Sequence, residues 1–125
     1  MNINIEKLEA AIIELKSVLK DSLLITSIWD FSTGLALAEL SPQPAAVALF
    51  TEVTRSLAGT LSDSGFPELN RYYLIDLADD HLAMVVRHGD DILQGIVMSA
   101  KKVNLGVLIS VALPKMIASI ETARE

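Results

Sequence analysis

The order of local patterns along the chain predicts an α/β (α+β) fold: a five-stranded antiparallel sheet sandwiched between a middle helix and two terminal helices, in the order α-β-β-α-β-β-β-α. Three observations predict it. Apolar residues recur with helical period, give way to runs of aliphatic and β-branched residues, and then return to helical period. Turn-forming Gly, Pro and Asp residues fall between those runs. The runs are apolar on both sides of the strand alternation, so each face of the sheet needs a cover. Apolar residues make up 51% of the chain, an excess that a doubly covered sheet or a surface packed on another chain would absorb. With 125 residues, the chain is read as a single domain, 1–125.

Ile5, Leu8, Ile12, Leu15 and Leu19 recur at spacings of three and four. They predict a helix from Ile5 to Lys20, capped by Asn4. Leu23 to Trp29 and Leu35 to Leu40 flank Asp30-Phe31-Ser32-Thr33-Gly34 and predict a hairpin. Ser41-Pro42-Gln43-Pro44 opens the middle helix, Ala45 to Leu61. Its expected core stripe is Ala46, Leu49, Phe50, Val53, Leu57 and Leu61, and Gly65-Phe66-Pro67 ends it. Arg71–Ala78, His81–Arg87 and Ile92–Met98 predict a three-stranded meander, because their connections are short. From Asn104 onward Leu105, Leu108, Ala112, Met116 and Ile120 keep helical spacing. That predicts a last helix capped by Asn104 and kinked at Pro114.

Several function classes drop out. Net charge is −6, and the one adjacent basic pair is Lys101-Lys102. Phosphate neutralisation dominates nucleic-acid affinity, so no nucleic-acid partner is expected. The apolar stretch from Leu105 to Pro114 is about half a bilayer span, and no signal-like run opens the chain. The expectation is therefore a cytoplasmic protein without membrane insertion. Cysteine is absent, which excludes disulfides and thiolate chemistry.

No catalytic constellation stands out. The six glycines form neither a P-loop nor a dinucleotide fingerprint, and no nucleophile elbow surrounds a serine. His81 and His88 could join Asp79, Asp80, Asp90 or Asp91 around a metal, but the spacing lacks a compact ligand motif and turn residues are the plain reading. The two Asp-Asp pairs are read as turn residues pointing into water. No enzyme activity, metal or cofactor is expected. Arg55 projects away from the predicted core stripe. An arginine finger supplied to a GTPase is conceivable, but an exposed helical arginine ordinarily serves an ion pair or solubility. Trp29 is read as core, and of the adjacent Tyr72 and Tyr73 one must face each side.

The element order resembles that of the roadblock/dynein light chain family, a roadblock/profilin-like architecture. The hairpin Ile28–Gly34 resembles the family's strand, acidic turn and glycine. Lys102-Val103-Asn104-Leu105-Gly106-Val107 resembles its lead-in to the final helix. Within the family the chain resembles bacterial or archaeal-type single-domain members, similar to the gliding-motility polarity GTPase partners. The resemblance implies a homodimer, or a heterodimer with a related roadblock-like chain, in which middle helices pack together and third strands pair. It also implies a small Ras-like GTPase as partner, with the chain as scaffold or regulator. On a helical wheel Ala45, Ala48, Glu52, Ser56 and Gly59 form a stripe beside the core stripe, and four of the five are small. That stripe, with Arg71, Tyr72 and Tyr73, is the expected dimer interface. Thr51 and Arg55 are the expected partner platform at its border. Two other functions stay open: a small-molecule-sensing domain of similar architecture, and a light-chain-like structural subunit without a GTPase partner.

Overall fold

The computed structural model describes residues 2–125. Helix α1 spans Ile5–Leu19, with Asn4 Oδ1 accepting from Lys7 N at 3.1 Å as its cap. A 3-10 turn, Lys20–Ser22, leads into β1 (Leu23–Asp30) and β2 (Ala36–Leu40). Helix α2 is Pro44–Asp63. The meander is β3 (Tyr72–Leu77), β4 (His81–His88) and β5 (Ile92–Ser99). Helix α3 closes the chain over Leu105–Ala123. Every predicted element is present, and each boundary lies within two residues of the expected one.

The strands form one antiparallel sheet in the order β2-β1-β5-β4-β3. Its centre is therefore β5, and its open edges are β2 and β3. One face is covered by α1 and α3, whose Leu8, Leu15, Leu108, Met116 and Ile120 pack on Ile28, Met84, Ile96 and Met98. The other face meets α2 alone, through Val47 and Phe50 on Trp29, Ala83, Val85 and Leu93. Gly95 permits that packing, since a Cβ there would stand 3.3 Å from the Trp29 ring.

Helix α3 differs from expectation in how it accommodates Pro114. Asn104 Oδ1 accepts from Val107 N at 3.1 Å, the expected cap. The helix then widens into a π turn, Leu108–Ala112, in which Leu113 N–H reaches Leu108 O. A proline ring clashes with the carbonyl four residues back, and widening by one residue relieves that clash. The extra residue also keeps Leu108, Ala112 and Met116 all facing the core. By length and composition α3 could cross a membrane. Its inner face, however, is built into the core, while Lys115 and Glu121 lie on its exposed side.

Strand β3 departs from the expectation of two covered faces. Tyr72, Leu74 and Leu77 are exposed, because β3 is an edge strand and neither layer of helices reaches it fully.

Candidate interaction surface

Helix α2 lies over the sheet on Trp29, Val85 and Leu93 and reaches β3 through Tyr73, and the two elements carry the residues singled out in the sequence. Ser41 (φ 56°) turns the chain out of β2, and Pro44 starts the helix. Four side chains seat it: Val47, Phe50, Thr51 and Thr54 are buried. Thr54 Oγ1 lies 2.7 Å from Tyr73 Oη, which ties the helix to β3. Burial raises the Tyr73 phenol pKa, partly offset by this hydrogen bond.

Thr51 corrects the sequence reading. It is buried, not on a platform. Its hydroxyl accepts from Trp29 Nε1 at 2.9 Å and donates to Val47 O at 2.7 Å. A buried indole N–H needs an acceptor, and Thr51 supplies it from the opposite layer. Leu49 is a second correction: expected in the core stripe, it is 56% exposed.

Ala45, Ala48, Glu52, Ser56 and Gly59 are all exposed, so the stripe of small residues faces outward. A Cβ on Gly59 would meet nothing within 4 Å. Arg55 sits on the rim, its guanidinium 5.2 Å from the Phe31 ring centroid and its Nη1 2.8 Å from Glu52 Oε1. Arg71 and Tyr72 are exposed, and Tyr73 is half-buried with its hydroxyl on Thr54. Leu49, Leu77 and Phe66, the last 68% exposed on the α2–β3 connection, are exposed apolar residues near α2, whereas Tyr72 and Leu74 turn to the α1–α3 face of the edge strand. Sequence reasoning missed Phe66, because the preceding Gly65 marked the segment only as a helix stop. The surface thus combines a small-residue helix face with an unpaired apolar strand edge.

The remaining polar candidates are structural. His88 is buried under α3, and its Nε2–H donates to Gln94 Oε1 at 3.0 Å. Gln94 Nε2 donates to Thr26 Oγ1 at 3.2 Å, and Thr26 donates to Gly95 O at 2.9 Å. Burial pushes the His88 pKa down to about 4, against the opposing pull of the Gln94 bond. His81, at the other end of β4, lies by Ala78 O. The Asp pairs do not simply point into water. Asp80 accepts from Ser99 Oγ and Lys101 N, both at 2.7 Å, and the Ser99 bond foremost lowers its pKa. Asp91 takes both Arg124 Nη atoms, at 2.8 and 2.9 Å, and those bonds hold its carboxyl below the ordinary range. No group of three or more His, Cys, Asp or Glu side chains is arranged to hold a metal among the described residues.

A sheet flanked by a lone helix on one face and two on the other, with one strand edge open beside the lone helix, is the fold of roadblock/LC7 domains. The chain covers 97% of its length on the MglB structure of Myxococcus xanthus and 92% of that chain, with TM-score 0.76 and 12% identity. Against the gliding protein MglB from Thermus thermophilus the coverage is 94% and 93%, with TM-score 0.70 and 16% identity. A Roadblock/LC7 domain from Streptomyces avermitilis follows at TM-score 0.58 and 11% identity, over 86% of this chain and 88% of that one. No family model matches the sequence, and no curated protein does.

Proposed function

We propose that the chain is a non-catalytic, dimeric interaction module that serves as partner, scaffold or regulator of a small Ras-like GTPase. The observation that carries the proposal is an outward-facing stripe of small residues on α2 together with an open β3 edge, the two tied by the Thr54–Tyr73 hydrogen bond. Small residues let two helix backbones approach closely, and an unpaired apolar strand is a template for another strand. A face of that kind is self-complementary under a twofold axis. Ala45, Ala48, Glu52, Ser56 and Gly59 would pack against their symmetry mates, and Arg71, Tyr72 and Tyr73 would lie along the strand seam. Arg55 then stands on a two-helix platform open to a third protein. The GTPase partner rests on the family resemblance and on fold likeness to MglB.

The sensor reading has less to recommend it. Thr26 and Gln94, two of the buried polar residues of the strands, bond to one another, and Gln94 also bonds His88. The hollow under α2, beside Trp29 and Val97, has only ≈ 10 Å³, about the room of a single water, and the hollow of ≈ 450 Å³ between α1 and β2 has Glu9 and Glu39 as the only charged or polar residues among those lining it.

Two measurements test the proposal. Sedimentation of the purified chain should give a dimer, and Ala48→Trp should shift it toward monomer. Pull-down from native lysate should retain a small GTPase with a strong preference between GTP and GDP. A monomeric wild type removes the dimer. Retention of no GTPase, or retention indifferent to nucleotide, removes a nucleotide-sensing partner role.

A further inference from the structure

Strand β3 bonds β4 through alternate residues, and the phase of that alternation decides what its free edge offers another chain. Tyr72 stands opposite Val86, so Arg71 stands opposite Arg87, and Arg87 N–H donates to Arg71 O at 2.7 Å. Bonded and non-bonded pairs alternate along an antiparallel ladder. Tyr73, Ile75 and Leu77 therefore direct their N–H and C=O groups to β4, while Tyr72, Leu74 and Asp76 turn theirs to the open edge. These outward-bonding residues oppose Val86, Met84 and Leu82, which places their side chains on the α1–α3 face, where all are exposed. Asp76 forms no salt bridge among the described residues.

We infer that two copies of this chain join β3 to β3 in the register centred on Leu74, with Leu74 against its symmetry mate and Tyr72 against the partner's Asp76. The inference rests on the dimer proposed above and defines its seam. A twofold axis normal to the sheet keeps both α2 helices on one face and runs the two strands antiparallel. Outward-bonding residues must then oppose outward-bonding residues, so the axis passes through a residue of β3 and not between two.

Centring on Ile75 sets Tyr72 opposite the partner's Ala78, which lies beyond the strand in the β3–β4 turn. It also sets Leu74 against a carboxylate and brings the two Asp76 side chains diagonal to one another, roughly 7–8 Å apart, where like charges repel. Centring on Tyr73 sets Asp76 opposite the partner's Asn70. That residue precedes the strand, and its carbonyl already accepts from Arg87 Nη1 of its own chain at 3.4 Å. Centring on Leu74 gives Tyr72, Leu74 and Asp76 each a strand residue to bond. It puts apolar on apolar at the axis and the electropositive edge of the Tyr72 ring beside a carboxylate. The two Asp76 groups then sit at opposite ends of the seam, about 14 Å apart along the strand, well beyond the Debye length of about 8 Å at physiological salt. A foreign strand fits only if it offers acid, aliphatic and aromatic residues in the reversed order, so this edge selects a second copy of the chain.

Disulfide trapping and a charge comparison test the inference. The chain has no cysteine, so oxidised Leu74→Cys should cross-link the dimer. Ile75→Cys should not, because its mate stands diagonal, outside the roughly 7 Å Cα separation that a disulfide tolerates. In the register centred on Ile75 those two results exchange. Tyr72→Lys and Tyr72→Glu should give dimer dissociation constants about tenfold apart, since one makes two ion pairs with Asp76 and the other two repulsions. Adding Asp76→Asn to both should erase the difference, and loss of the aromatic ring cancels in the comparison. A wild-type monomer sinks the dimer itself. A wild-type dimer that cross-links through Ile75→Cys in place of Leu74→Cys, or through neither, keeps the dimer and overturns this register. A difference between Tyr72→Lys and Tyr72→Glu that survives Asp76→Asn overturns it equally.

Discussion

Two buried polar residues show how single side chains constrain this fold. His88 is buried with its ring bonded to Gln94, and its pKa falls from 6.5 to about 4. The unfolded chain therefore binds more protons than the folded one between those values. Stability is fully present above pH 6.5 and is lost as pH falls toward 4, by about 3 kcal/mol at most. Asp80 and Asp91, both lowered, extend the loss to more acid pH. Urea titrations across this range should show the slope, and His88→Gln should flatten it between pH 6.5 and 4; an unchanged slope assigns it elsewhere. Trp29→Phe removes the Nε1 donor to Thr51 and shrinks a ring that lies on Gly95. Thr51 still donates to Val47 O, so the loss should be about 1–3 kcal/mol, one hydrogen bond plus a small void. Denaturant midpoints measure it directly. This residue also marks a limit of sequence reading. Threonine on a helix wheel is assigned outward by polarity, and only the fold brings Trp29 across to claim its hydroxyl.

At the scale of elements, features that depend on neighbours in the chain were legible, and those that depend on distant packing were not. Asn4 and Asn104 cap α1 and α3 through bonds to residues three positions on, which is a local pattern. The hairpin turn is equally local: Asp30 accepts from Ser32 and Thr33, and Gly34 supplies φ 74°. The π turn was not legible. Pro114 announced a disturbance, but widening rather than kinking follows from the need to keep Leu108 and Ala112 both in the core. The seat of α2 escaped the sequence for a related reason. Leu49 looks like core by hydropathy, yet the helix buries only Val47, Phe50, Thr51 and Thr54 against the sheet. Gly59 on the outer stripe permits a clean test. Gly59→Leu meets nothing in its own chain and should raise helix stability by about 0.5–1 kcal/mol. If the stripe is a seam, the same variant should weaken the dimer. Monomer stability and dimer affinity should then move in opposite directions, and a variant that improves both places the interface elsewhere.

For the whole molecule, the two cores are unequal, with nineteen buried apolar residues on the α1–α3 side against six on the α2 side among the described residues. The larger side is also fastened at its margin. Arg124 bonds Asp91 and His88 O, while Asn4 N meets Ala123 O at 2.8 Å and Glu125 N meets Asn2 O at 3.0 Å. Local opening follows the thinnest burial, so α2 should separate from the sheet well before the strands part. Exposed Leu49 and Gly59 on its outer face add nothing to hold it in an isolated chain. A symmetry mate covering that face would raise the free energy of opening by mass action. Amide hydrogen exchange at two protein concentrations measures this. In dilute protein the amides of α2 should exchange faster than those of β4 and β5. On raising the concentration through the dimer transition, protection should rise in α2 and β3, with α1 and α3 little changed. Concentration-independent exchange in α2, with a dimer present by sedimentation, would mean that the helix face is open to solvent in the assembly and that dimerisation uses another surface.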